Sequence, residues 1–119
     1  MRQTAMFSHS PIKASNILGT RVVAVDGEIL GNIKEMVIDP ATGRLAYVVM
    51  SFGGFLTLGV KLFAIPFRAF EFDFVNNQYV LRVAKARLKR APGFDADHWP
   101  SMADEKWNRD VHAYYGETL

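Results

Sequence analysis

Three histidines, His9, His98 and His112, are the side chains best suited to proton transfer near neutral pH, and no two stand within four residues of each other. The densest group of potential ligands is Asp95-Ala96-Asp97-His98, two carboxylates and an imidazole in four residues. A metal site needs further ligands and side chains that orient them, and nothing at helical spacing supplies either. The stretch therefore reads as a solvated acidic loop, and no metal site is assigned. Cysteine is absent, which removes thiol catalysis, disulfides and every Cys-based zinc site. A serine nucleophile needs a base and an acid to orient that base. Ser8, Ser10, Ser15, Ser51 and Ser101 show no such setting. Gly54-Phe55-Leu56-Thr57-Leu58-Gly59 has the glycine spacing that opens a phosphate-binding loop, but Val60 follows Gly59 and Leu62 follows Lys61. The loop motif is broken, and a glycine-rich strand connection is the simpler reading. No catalytic residue and no cofactor site is assigned, and the expectation is a protein that is not an enzyme.

Two features point to binding instead. Four of the six residues from Lys85 to Arg90 are cationic (Lys85, Arg87, Lys89 and Arg90), a run that can touch phosphates. Nucleic-acid binding gains strength from exposed aromatics that stack on bases, and the nearby Tyr79 and Phe94 look committed to packing. A solvated helix face is the expectation there, with nucleic-acid contact weak. Phe55-Leu56-Thr57-Leu58 is different: three large apolar side chains crowd a strand connection. Such a patch suits burial against another subunit or against the chain's own tail. Phe55, Leu56 and Leu58, with Trp99 and Trp107 nearer the end, are the candidate partner-binding residues.

These candidates sit in a chain of 119 residues, half of them apolar and 22% charged, the mixture of one globular domain. Net charge is only +2, but it is unevenly spread. Residues 1–94 hold twelve of the fourteen Lys and Arg and six of the twelve Asp and Glu; residues 95–119 hold the other six acids against Lys106 and Arg109. A basic body with an acidic end is read as an end that folds back on its own domain. Leu45 to Phe67 is apolar and about long enough to cross a bilayer. Gly53-Gly54 near its middle, Lys61 and Pro66 argue for two buried strands instead, and the many aromatic and β-branched residues agree. No membrane span and no signal peptide are expected, and the lack of cysteine leans the location towards the cytoplasm.

Turn residues recur every eight to twelve positions, the mark of a small barrel or sandwich. A short helical turn near Ser15-Asn16 closes at Gly19. Strands follow over 21–25, 29–38 and 44–52, divided by Asp26-Gly27-Glu28 and by Asp39-Pro40-Ala41-Thr42-Gly43, with Gly31 at a bulge or bend. Strands over 61–65, 70–74 and 79–83 come next, the fifth placing Phe70, Phe72 and Phe74 on a buried face opposite Glu71 and Asp73. The sheet is expected to curl closed and so remove its edges. A basic helix over 85–90 stops at Pro92-Gly93. A last helix, capped at Ser101 and ended by Gly116, places Trp107, Val111 and Tyr114 at helical spacing. The layout is an N-terminal extension over 1–14, a barrel domain over 15–92 and a helical appendage over 93–119. The appendage is expected to dock, because Phe94, Trp99, Trp107, Val111 and Tyr114 form too large an apolar stripe to leave wet.

One series of segments resembles a known family. Leu18-Gly19-Thr20-Arg21-Val22-Val23 leads to Asp26-Gly27-Glu28-Ile29-Leu30-Gly31-Asn32-Ile33, then to Ile38-Asp39-Pro40-Ala41-Thr42-Gly43-Arg44 and Tyr47-Val48-Val49. Gly53-Gly54-Phe55 and Ala64-Ile65-Pro66-Phe67 complete the order. The series, over about residues 12–92, is similar to the PRC-barrel family, named for the cytoplasmic barrel of the photosynthetic reaction centre H subunit. The resemblance implies a mainly β fold: a small, mostly antiparallel six-stranded barrel with a short C-terminal helical appendage. It implies no active site, since members share a fold and differ in role. One supports a membrane electron-transfer complex, and another uses such a barrel in small ribosomal subunit assembly. This chain shows neither the membrane helix of the first nor room for the second barrel of the other. The expectation is a free-standing, non-catalytic interaction or assembly module, an adaptor that forms a homodimer and binds an unidentified protein. The alternative is an RNA- or ribosome-associated factor working through residues 85–90.

Overall fold

The computed structural model describes residues 11–52 and 61–116. Phe55, Leu56 and Leu58, the Gly53-Gly54 break and the near-miss phosphate loop lie outside the described residues. The chain opens with one helical turn, α1 (Ala14–Ile17), and enters β1 (Arg21–Ala24). β2 (Ile29–Asp39) and β3 (Arg44–Phe52) form a long hairpin, and β4 (Lys61–Pro66) returns beside β3. A 3-10 turn (Phe67–Ala69) carries the chain to β5 (Phe70–Asp73) and β6 (Gln78–Leu81). Two helices follow, α2 (Lys85–Lys89) and α3 (Glu105–Tyr114).

The six strands form one sheet in the order β4-β3-β2-β1-β6-β5, curled into a half-barrel. Only the β1–β6 ladder is parallel, so the sheet is mostly antiparallel, as the sequence led us to expect. Two register shifts bend β2: one lies opposite Val22 and Val23, the other between Ile33 and Glu35. Gly31 sits at the first, where a Cβ would stand 1.7 Å from the carbonyl oxygen of Ser51. Glycine is therefore required there by close backbone approach, not by its dihedral freedom.

Closure differs from expectation. β4 and β5 end the strand order without pairing with each other, so the curl leaves two edges. The β4 edge is met by the chain beyond α2, where Leu62 and Phe94 exchange two backbone hydrogen bonds, both 2.9 Å. A second correction falls on β5. The alternation predicts a wet Asp73 and a buried Phe74, whereas Asp73 is 5% exposed and Phe74 is 46% exposed. The strand stops at Asp73 because its carboxylate organises the following turn. It accepts from the Asn76 backbone (3.2 Å) and side chain (2.8 Å) and from the Gln78 side chain (3.4 Å). Asn77 then takes a left-handed conformation, φ 51°, which asparagine tolerates. The last helix also starts later than Ser101. Asp104 is its cap, accepting from the Trp107 backbone N–H at 3.0 Å, while Gly116 ends it at φ 71°.

β3 is the centre of the core. Tyr47, Val48, Val49 and Met50 are all buried, as are Leu62 to Ile65 beside them on β4. Alternation sends Val48 and Met50 to one face and Tyr47 and Val49 to the other, so both faces of the β3–β4 pair are covered.

The Asp73 turn gives the first prediction. The Asn76 side-chain hydrogen bond, aided by the Asn76 backbone, Gln78 and Val75, holds the Asp73 carboxyl below its ordinary value of 3.8 against the opposing effect of burial. A depressed folded value means this stabilisation is fully present above that ordinary value and is lost as pH falls through the depressed one. Asp73→Asn should flatten the acid limb of stability below about pH 4, measured by urea unfolding at stepped pH. Asp73→Ala should cost about 1–3 kcal/mol at neutral pH by leaving the turn's donors unmet.

Candidate functional site

The residues after α2 are drawn onto the sheet by two separate contacts. The first is the Leu62–Phe94 bridge, which needs Gly93: a Cβ there would stand 2.6 Å from Lys61 Cε and 2.9 Å from both the Leu62 carbonyl oxygen and Phe63 Cε1. From that bridge the Phe94 ring packs at 5.1 Å against Trp99, which remains 43% exposed. Lys61, Gly93, Phe94, Asp95 and His98 line a shallow cleft of about 310 Å³ at this corner. Lys61 Nζ lies 5.1 Å from the Phe63 ring centroid, and the exposed Asp95 Oδ2 and His98 Nδ1 lie 3.7 Å apart. Phe52 and Lys61 pair directly, so both ends of the connection carrying Phe55, Leu56 and Leu58 emerge at this corner. The structure thus places Trp99, through Phe94, at the start of β4, which follows this connection.

The second contact is α3. Val111 and Tyr115 join the hydrophobic core, with Trp107 and Tyr114 packed against it. The Trp107 ring meets Tyr47 edge-on at 5.1 Å, and His112 does the same at 5.5 Å. The Tyr47 hydroxyl donates to Asn108 Oδ1 and lies 3.3 Å from His112 Nδ1, which donates to the Asn108 carbonyl at 2.8 Å. Burial pushes the Tyr47 phenol up to about 12. Trp107 is therefore placed as a docking residue of the chain's own appendage. His112 serves the same contact, lying beside the Tyr47 phenol and bonding the Asn108 carbonyl.

The basic run is divided by the fold. Arg87 donates to the Tyr114 carbonyl and lies over the Tyr114 ring at 4.3 Å, while the Tyr114 hydroxyl donates back to the Arg87 carbonyl. Lys85 pairs with Glu28 at 3.4 Å. Lys89 and Arg90 are exposed and have no ion-pair partner among the described residues. Sequence reasoning grouped these four cations by position. It missed the Arg87–Tyr114 contact, whose only sequence signal was the stripe of aromatics at helical spacing in the tail. No group of three or more potential metal ligands occurs among the described residues. No described helix is long and apolar enough to cross a membrane.

Comparison with protein families finds a match over residues 11–88 to the model described as PRC-barrel domain. No curated protein matches the chain.

These contacts separate the two tryptophans. Trp107→Ala should cost about 2 kcal/mol, half the loss of a fully buried ring, and lower Tm by about 5–10 °C. It should also speed protease cleavage near residues 91–97. Trp99→Ala should stay within about 0.5 kcal/mol of the parent, as exposed positions do. Calorimetry of both variants checks the contrast.

Proposed function

The chain belongs to the PRC-barrel family, and from that premise we propose that it is a non-catalytic interaction module whose docking corner is built by Phe94, Trp99 and the β3–β4 connection. The observation that carries this reading is Trp99. The appendage docks and packs Trp107, Val111 and Tyr115 on the core, yet leaves Trp99 exposed against a half-buried Phe94 at the β4 corner, where Phe94 bridges Leu62. An aromatic pair of this kind, rimmed by Lys61, Asp95 and His98, has the composition of an interface centre with a polar rim. The occupant we propose is a second copy of the chain, because isologous twofold contact is the commonest way to cover such a patch. An adaptor role follows: the dimer presents two identical half-barrels to a protein partner.

A second reading, an RNA- or ribosome-associated assembly factor, draws support from the exposed Lys89 and Arg90. Intramolecular contacts at Lys85 and Arg87 weaken it, since a cation already paired releases less on meeting a phosphate.

Light scattering across a dilution series tests the dimer. A dimer mass at micromolar concentration is expected, with Leu56→Glu and Trp99→Glu each giving a folded monomer. A monomer at high micromolar concentration defeats the proposal. For RNA, binding to a single-stranded probe should be weak and vanish at physiological salt. Its log–log salt slope should be no steeper than about −1.4, for two contacts at about −0.7 each. Tight, salt-resistant and sequence-dependent binding would favour the second reading.

A further inference from the structure

The opposite end of the strand order carries a different kind of site. Tyr79 on β6 is packed by three phenylalanine rings: Phe67 at 6.1 Å, Phe70 at 6.2 Å and Phe72 at 4.9 Å. The residue is only 2% exposed, an environment in which phenylalanine would serve as well. Its hydroxyl has no hydrogen-bond partner among the described residues. That oxygen is not sealed off, however, as the partnerless oxygen of Tyr115 is. Tyr79 lines a cleft of about 350 Å³ together with Ile12, Asn16, Phe72 and Asn77. A buried tyrosine hydroxyl usually finds a partner, and here the partner's place is open.

The rest of the lining narrows what fits. The Asn16 and Asn77 side-chain amides make no hydrogen bond among the described residues, and each offers both a donor and an acceptor. Phe72 supplies an aromatic wall, and Ile12 an aliphatic one. None of the described lining residues is charged, so they offer nothing to neutralise a phosphate or a carboxylate. Asn77 alone would prove little, because its left-handed φ of 51° already accounts for an asparagine. The Tyr79 hydroxyl has no such structural reason.

An extended peptide adding to the free edge of β5 fits less well. The Arg82 N–H bonds the Ala69 carbonyl at 3.3 Å, and strand alternation then turns the backbone of Glu71 inward and that of Phe72 outward. The Phe70 N–H is already used by the Phe67 carbonyl. Only Phe72 offers a full outward pair, too short an edge to hold a strand.

We propose that this cleft binds a small, uncharged, planar ligand with donors and acceptors along one edge, the chemistry of a nucleobase, stacked on Phe72 and hydrogen-bonded by Tyr79, Asn16 and Asn77. The ligand is a free base or nucleoside and not a polynucleotide, because none of the described residues lining the cleft is a cation that could follow a phosphate backbone.

The test is a titration of the full-length chain with adenosine and with uridine, read by the side-chain amide resonances of Asn16 and Asn77. At least one nucleoside should shift both amides at millimolar concentration. Tyr79→Phe, which keeps the ring packing, should weaken binding about 5- to 10-fold, the loss of one neutral hydrogen bond. Asn77→Gly, which suits the left-handed backbone, should weaken it comparably while leaving Tm unchanged. Nucleoside monophosphates should bind no more tightly than nucleosides, and a single-stranded oligonucleotide no more tightly than its free base. Any of four results overturns the proposal: unmoved amides with both nucleosides, equal affinity in Tyr79→Phe, tighter binding of the phosphorylated or polymeric forms, or binding of a blocked dipeptide alone.

Discussion

A strand that is apolar on both faces must be covered on both faces, and β3 is such a strand. Tyr47 to Met50 are buried without a break, and so are Leu62 to Ile65 on the neighbouring β4. The curled sheet supplies cover for one side only. Covering one more side chain of this size contributes about 1.5–3 kcal/mol, so leaving the other face wet would forfeit much of a small domain's stability. The appendage answers this need. Its helix brings Trp107, Val111 and Tyr115 to the core, and Tyr47 fixes the helix in place by reaching Asn108. The position of the described residues after α2, Trp99 included, follows from that demand.

Charge does little of this work, although the sequence is polarised between a basic body and an acidic end. The ion pairs on α3 run within the helix, Lys106 to Asp110 and Arg109 to Glu105, and all four groups are well exposed. The cation that ties body to tail is Arg87, and it meets a carbonyl and the face of the Tyr114 ring, not a carboxylate. Such a contact combines packing with electrostatics and is less sensitive to salt than exposed ion pairs. The acidic surplus of the tail is therefore left facing solvent, where it adds solubility more than stability.

Most of the sheet was legible because its punctuation is chemical. Asp39-Pro40-Ala41-Thr42-Gly43 turns the chain where it must turn: Gly43 has φ 74° and accepts no ordinary residue without strain, and Asp39 caps the Ala41 N–H at 2.9 Å. Gly31 marks a true bulge, and Gly116 a true helix end. What stayed hidden depends on partners distant in sequence. Asp73 reads as a solvent residue until Asn76 and Gln78 are seen to converge on it. Ser101 has the form of a cap, but Asp104, three residues on, presents the stronger acceptor at the point where the helix begins. The Leu62–Phe94 bridge could not be foreseen, since a single bridge between segments thirty-two residues apart leaves no periodic trace.

The same distance effect explains why the two candidate sites were unequal in the sequence. The Phe94–Trp99 corner was visible in part because large aromatics in a short polar tail stand out on composition alone. The Tyr79 cleft was not, because Tyr79 sits at a core position of an alternating strand, where a tyrosine and a phenylalanine give the same pattern. Only the fold shows that its hydroxyl meets no protein partner. Both sites arise from incomplete closure. A sheet joined edge to edge would pair β4 with β5 and leave neither a bridge site for Phe94 nor an outward-facing Phe72. Stopping at a half-barrel costs this chain the hydrogen bonds of one ladder. In return, each end of the strand order is left open for other groups to occupy.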